Sequence, residues 1–229
     1  MKTSELFDEI KKQNKKSKVL ILGCGPSLSE ISLDKVIDLS EDHLIATIKQ
    51  SHIPFGDYSD FQFFNCNNLL KYQSKKTKFI CCSPNKQDCG LWDNQNIDIF
   101  FHMSRHPEKM INVESDDYFF KKDNMGKYWG PGIMTEIVLS FFYNLGIKEI
   151  TTIGWDLYKG SDDGYKHFYK ESNRSSFLNP AAQMYSGEIS ESILNSKRIN
   201  DYFASKNVSL KCLKSDSCFL DDSIERVTL

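Results

Sequence analysis

The chain has 229 residues, 40% hydrophobic and 26% charged, with a formal net charge of -2. That is long enough for one sizeable core and too weakly charged for bulk nucleic-acid binding. Residues 1–18 are polar and lysine-rich and no apolar run reaches bilayer length, so neither a secretory signal nor a membrane span is expected. The expected location is cytoplasmic, with weak peripheral contact at the inner face of the membrane left open to the early lysines. Seven cysteines, odd in number and without framework spacing, lie mostly in or beside apolar runs and read as reduced core thiols.

A short amphipathic helix is expected over Leu6 to Lys16, its lysines forming a solvated face. Four apolar residues, Val19 to Leu22, then run into Gly23-Cys24-Gly25-Pro26-Ser27, which reads as a buried parallel strand stopped by a tight turn. Gly23 and Gly25 permit backbone angles closed to other residues, so accessible amides there would cradle a phosphate, with the Ser27 hydroxyl adding to it. On that reading Gly25→Val removes nucleotide binding and leaves the fold intact. The same Gly-x-Gly also suits an ordinary strand-to-loop turn.

The second strand, His43 to Ile48, runs into Lys49 and Gln50, and position 28 is leucine. A dinucleotide fold wants a third glycine at that position and an acidic residue after the second strand, so nicotinamide dehydrogenases and Rossmann methyltransferases fit poorly. No Walker lysine follows the turn. Asp60 to Asn65 reads as a third strand. Asn65 stands at its carboxyl end, where open α/β sheets bind ligands, and its amide suits a base or ribose as well as a turn.

Lys78 to Cys82 and Ile97 to Phe101 add two strands, with adjacent Cys81 and Cys82 on opposite faces. The polar, aromatic stretch Met103 to Lys127 reads as a lid or acceptor-binding insertion. Close by, His102, Arg105 and His106 lack a third ligand at metal spacing. Gly130-Pro131-Gly132 breaks the chain before an apolar helix over Ile133 to Leu145, stopped by Gly146; such a glycine-rich helix entry can face an anion. Lys148 to Ile153 is the next strand and ends in Gly154-Trp155-Asp156-Leu157-Tyr158. The polar loop over 159–186 carries Tyr165 and His167.

A helix over Gly187 to Ser205, a last strand over Val208 to Leu213 and a closing helix or turn over Asp216 to Val227 complete the chain. Strands alternating with helices throughout predict a single α/β domain over 1–229, a doubly wound, Rossmann-like, mostly parallel sheet flanked by helices.

Several of these stretches resemble, in order, the bacterial sialyltransferases of glycosyltransferase family 42. They are Gly23-Cys24-Gly25-Pro26-Ser27-Leu28, the Phe64-Asn65 strand end, Gly132 through Ile150 to Gly154-Trp155-Asp156-Leu157-Tyr158, and Leu210-Lys211-Cys212-Leu213. The similarity runs from about Val19 to Ile224. It implies a GT-A-variant fold and a metal-independent, inverting transfer of a nine-carbon acidic sugar. The sugar would move from a cytidine monophosphate (CMP) donor to a surface glycan, such as a lipooligosaccharide, capsule or O-antigen, with no cofactor. A nucleotide sugar and a glycan are then the partners, and an oligomer stays open.

The resemblance implies a donor site from Gly23, Gly25, Pro26, Ser27 and Asn65, with Cys24, Lys49, Gly130, Pro131, Gly132 and Asp156 beside it. It also implies that Tyr158 and Tyr165 hydrogen-bond the departing phosphate. Cys24 and Lys49 stand where the family has asparagines, the arginine expected near Tyr128 is absent, and Tyr185-Ser186-Gly187-Glu188 replaces Tyr-x-Gly-His with its base histidine. Two bases are therefore weighed. His167 is ahead on chemistry and Glu188 has the positional claim. No metal is expected, because Asp116-Asp117 and Asp162-Asp163 are adjacent loop residues that suit solvated turns. A pterin-type diphosphokinase using Asp156 and Mg²⁺, and a non-enzymatic nucleotide-sugar-binding protein, are the alternatives.

Overall fold

The apolar runs become strands of one sheet. The structure is a computed structural model that describes residues 3–65, 72–83, 97–103, 120–125, 132–157, 167–168 and 186–229. Its strands are β1 (Lys18–Leu22), β2 (His43–Ile48), β3 (Phe61–Phe64), β4 (Lys78–Ser83), β5 (Ile99–His102), β6 (Glu149–Ile153), β7 (Ser209–Leu213) and β8 (Glu225–Val227). They form an 8-stranded sheet in the order β5-β4-β3-β2-β1-β6-β7-β8. Every pair is parallel. The chain builds outward from β1 to β5, then returns to lay β6 against the other side of β1. The expected doubly wound sheet is present, and among the described strands it is parallel throughout.

Side-chain alternation sorts β1 between two apolar layers, as a parallel sheet covered on both faces requires. Val19 and Ile21 enter the larger core with Phe63, Phe141 and Phe142, whereas Leu20 and Leu22 pack with Leu28, Val36 and Ile153. Cys82 joins the first layer and Cys81 a separate cluster with Phe64 and Phe79, so the two thiols do face opposite ways.

Helix α1 (Thr3–Gln13) is anchored by Phe7, fully buried and edge-on to Phe141 at 5.1 Å between ring centroids. After β1, a 3₁₀ turn (Pro26–Glu30) precedes α2 (Leu33–Leu39), where the Ser32 hydroxyl caps the Lys35 amide at 3.2 Å. A short α3 (His52–Phe55) follows β2.

The apolar stretch expected as one α-helix is two pieces: a π-helical turn (Met134–Val138) and then α4 (Leu139–Leu145). Gly146 ends it in the left-handed region at φ 96, as expected. Helix α5 (Ser186–Ser205) buries Ile199 and Phe203. No helix among the described residues is long and apolar enough to cross a membrane.

The closing helix or turn is corrected. Its last residues are β8, paired through Lys211↔Glu225, Cys212↔Arg226 and Leu213↔Val227. Backbone pairing on the open side of β7 outweighs a sequence too short and polar to advertise a strand. Of the insertion read over Met103 to Lys127, only Met103 and residues 120–125 lie inside the described residues. Phe120 there stacks on Tyr202 at 4.7 Å, which ties that end to α5.

Candidate functional site

Because the strands are parallel, their carboxyl ends share one edge. At that edge β1 and β6 are neighbours whose following segments depart to opposite sides, the crevice where open α/β sheets bind ligands. The turns after these two strands are locked together. Gly23 N donates to Ile153 O at 2.7 Å and Gly25 N to Gly154 O at 2.8 Å. Ser27 N and Ser27 Oγ donate to the two oxygens of Asp156 at 2.7 and 2.5 Å, while Gly154 N donates to Ser27 Oγ at 2.8 Å.

The glycines follow from this contact. A Cβ on Gly23 would strike the Gly154 carbonyl, and one on Gly154, at φ +76, would come within 2.8 Å of the Gly23 carbonyl. On Gly25 it would run into the Asp156 carboxylate and sit 2.9 Å from Gly154 O.

The phosphate cradle is therefore corrected at three positions. The amides of Gly23, Gly25 and Ser27 bond the partner turn and its carboxylate. Asp156, only 3% exposed, is an internal anion that the Ser27 end of the turn already holds. Pro26 has no N–H and Leu28 N bonds Gly25 O, which leaves the Cys24 amide as the one in this turn without a partner among the described residues.

Burial pushes the Asp156 carboxyl above the usual carboxylate range, opposed by the bonds from Ser27. A carboxyl that titrates higher when folded contributes most to stability below its unfolded pKa of about 4, and that contribution is lost as pH rises through the folded value. Asp156→Asn is expected to flatten this slope in urea unfolding followed across pH. Asp156→Ala, which leaves the Ser27 amide and hydroxyl unmatched in the core, is expected to cost about 3 kcal/mol.

The other side of the crevice is formed by the ends of β2 and β3. Lys49 takes φ 50, unusual for a side-chain-bearing residue. It is held there by Gln62 Nε2 on its carbonyl at 3.0 Å, while the next turn is tied to β1 by Ser51 Oγ on Leu22 O at 2.6 Å. Gln50 is 1% exposed and Asn65 7%, and Gln50 Nε2 and Asn65 Oδ1 are both buried without a hydrogen-bond partner among the described residues. Buried amides rarely stay unmatched. One unmatched donor and one unmatched acceptor beside a crevice mark where a polar ligand would complete the structure.

Cys24 bridges the two sides. Its thiol donates to Ile48 O at 3.1 Å and lies 3.4 Å from Gln50 Oε1, and burial pushes it up to about 11, so it is a neutral donor rather than a nucleophile. Phe168 N donates to Cys24 O at 2.9 Å, which brings half-buried His167 beside the turn.

The structure thus gathers Gly23, Cys24, Gly25, Pro26, Ser27, Lys49, Asn65, Asp156 and His167 at one sheet edge. Gly132, at φ +93 with no described residue within 4 Å of its Cβ position, opens the segment leading into the π turn. Tyr158, Tyr165, Gly130 and Pro131 lie outside the described residues. Glu188 falls in the first turn of α5, and its side chain is outside them too. Gln50 stands beside these residues without having been expected there. Its only signal was an amide side chain directly after an apolar strand.

No protein-family model matches the sequence, and neither does any curated protein sequence. Among solved structures, the chain matches the monofunctional alpha-2,3-sialyltransferase Cst-I of Campylobacter jejuni at 16% identity and a TM-score of 0.56, covering 95% of this chain and 84% of that one. The likeness is one of fold. The sialyltransferase CstII of the same organism, in complex with the substrate analogue CMP-3FNeuAc, matches at 17% identity and a TM-score of 0.55, over 92% of this chain and 86% of that one. Both alignments span nearly the whole sheet-and-helix framework, so the sialyltransferase-type α/β architecture expected from the sequence holds.

Proposed function

We propose that this chain is a metal-independent, inverting glycosyltransferase that moves a sialic-acid-like sugar from a CMP donor to a hydroxyl of a surface glycan. The observation that carries the reading is the pair of buried, unmatched amide atoms, Gln50 Nε2 and Asn65 Oδ1, at the ends of adjacent strands. A donor and an acceptor at the ends of neighbouring strands suit a nucleoside's base edge or sugar hydroxyls. The fold that carries them is shared with a sialyltransferase whose structure holds a CMP-sugar analogue.

In this reaction the acceptor oxygen bonds the anomeric carbon as the bond from that carbon to the phosphate oxygen breaks. The acceptor proton goes to a base, and the negative charge departs with CMP. His167, beside the Cys24 turn, takes the proton. The hydroxyls of Tyr158 and Tyr165 and the Lys49 ammonium meet the leaving phosphate, the work a metal does elsewhere. Asp156 serves by clamping the two turns, since each of its oxygens already accepts from Ser27. The reaction is expected to run in the cytoplasm, where the CMP donor would be used, with the glycan acceptor at the inner membrane face.

CMP is expected to raise the melting temperature, because a ligand bound only by the native state stabilises it. Release of CMP from a CMP-sugar should persist in excess chelator. Tyr158→Phe and Tyr165→Phe should lower kcat more than donor affinity. Activity lost in chelator and restored by Mg²⁺ would favour phosphotransfer, and a shift with CMP but no turnover would favour a binding protein.

A further inference from the structure

The end of β7 and the loop leading to β8 hold two thiols that glycosyl transfer does not use. Cys212, on β7, is 2% exposed, and Cys218, six residues on, is half-buried. One guanidinium nitrogen, Arg226 Nη1, lies 2.8 Å from Cys212 Sγ and 2.7 Å from Cys218 Sγ. Arg226 Nη2 is fixed by Leu220 O at 2.7 Å, with Asp222 Oδ1 at 3.9 Å. A guanidinium pressed against two sulfurs gains little from neutral thiols and much from a thiolate.

We propose that Cys212 and Cys218 form a redox pair that a hydroperoxide converts reversibly into an intramolecular disulfide, with Cys218 as the attacking sulfur and Cys212 as the resolving one. The roles follow from the surroundings. Cys218 is the more accessible, and the neighbouring Cys212 thiol, aided by the Arg226 guanidinium against its sulfur, lowers it to about 7. The same neighbour, Cys218, together with burial, pushes the Cys212 thiol up. An accessible thiolate beside a buried resolving thiol is the arrangement that oxidant-sensing cysteines use.

The step balances. The Cys218 thiolate attacks one peroxide oxygen, the O–O bond breaks, and Cys218 becomes a sulfenic acid as hydroxide leaves and is protonated. The Cys212 sulfur then attacks the sulfenic sulfur, forming the S–S bond and expelling the hydroxyl as water. Two thiols and one hydrogen peroxide give one disulfide and two waters, and the sulfurs supply the two electrons that reduce the peroxide.

The pair is wired to the crevice. Phe219 N, next to Cys218, donates to Asp156 O at 2.7 Å, and the Ser215 hydroxyl, inside the loop that the disulfide would close, donates to Glu30 Oε1 at 2.5 Å. Closing that loop would act on the clamp around Asp156.

The test is limited peroxide treatment of the reduced protein, alkylation of residual thiols and mass spectrometry of the tryptic digest. Cleavage after Lys211, Lys214 and Arg226 separates residues 212–214 from 215–226. These two peptides should appear joined, lighter by two hydrogens and released by dithiothreitol, at peroxide doses that leave Cys24, Cys81 and Cys82 alkylatable. Cys212→Ser should leave a sulfenic acid at Cys218 that dimedone traps, whereas Cys218→Ser should leave Cys212 unreactive. Arg226→Gln should slow oxidation about tenfold near pH 7 and recover near pH 9, as the thiolate fraction dictates. If that variant fails to fold, the two cysteine variants carry the test. Pairing of Cys218 with any other cysteine, or oxidation of Cys24 before this pair, would overturn the proposal.

Discussion

Gly154→Ala is expected to remove about 3 kcal/mol of folding stability, a large share of what a domain of this size has. Two costs combine. An alanine at φ +76 is strained by roughly 1 kcal/mol, and its methyl must force apart two packed backbones for about 2 kcal/mol more. The molecule holds its own control in Gly132, where φ is +93 and no described residue lies within 4 Å of the Cβ position, so Gly132→Ala should show only the first cost. Urea unfolding of the two variants under one condition measures the difference. If Gly154→Ala unfolds no earlier than Gly132→Ala, the clamp between the turns is not what holds this edge together. The same geometry revises the expectation for Gly25→Val. Its side chain would meet the Asp156 carboxylate and Gly154 O, so the variant should lose its fold along with any ligand. Gln50→Ala is the milder binding probe: it removes an amide nitrogen with no partner among the described residues and, with Oε1, the 3.4 Å contact to the Cys24 thiol.

The sheet was legible because its strands are short, nearly continuous apolar runs broken by turn residues, the pattern that burial on both faces imposes. Strand β8 was not, since Glu225-Arg226-Val227 has neither length nor alternation and owes its conformation to β7. The π turn was also hidden. Met134, Ile137 and Val138 are buried along with Leu139, Phe141 and Phe142, so neither helical period leaves a polar face to read. At the site, two glycines announced a close approach to the backbone but not what approaches. Here it is a second turn, whose Asp156 is 129 residues from the Ser27 it meets. Contacts of that range leave no trace in a local pattern. Gln50 stayed invisible for the converse reason: only the missing hydrogen bond singles it out.

His167→Ala is expected to lower turnover by about 100- to 1000-fold, the usual weight of a general base, with CMP affinity unchanged. The placement argument comes from its neighbour. The Phe168 amide on Cys24 O, with the Phe168 side chain packed beside Leu28 and Ile153, fixes this short segment against the turn where the donor's phosphate would leave. Glu188 lies in the first turn of α5, where acidic residues are commonplace for helix-end reasons alone. Glu188→Ala should therefore leave turnover within a few-fold of the parent.

The pH profile separates a catalytic role from a structural one. An imidazole accepts a proton only when neutral, so parental turnover should fall on the acid side as His167 takes up a proton. The residual activity of His167→Ala should lose that limb, and added imidazole should restore part of the rate. A large loss in Glu188→Ala with His167→Ala near the parent would transfer the base to α5, and parental rates in both would return the crevice to a binding role.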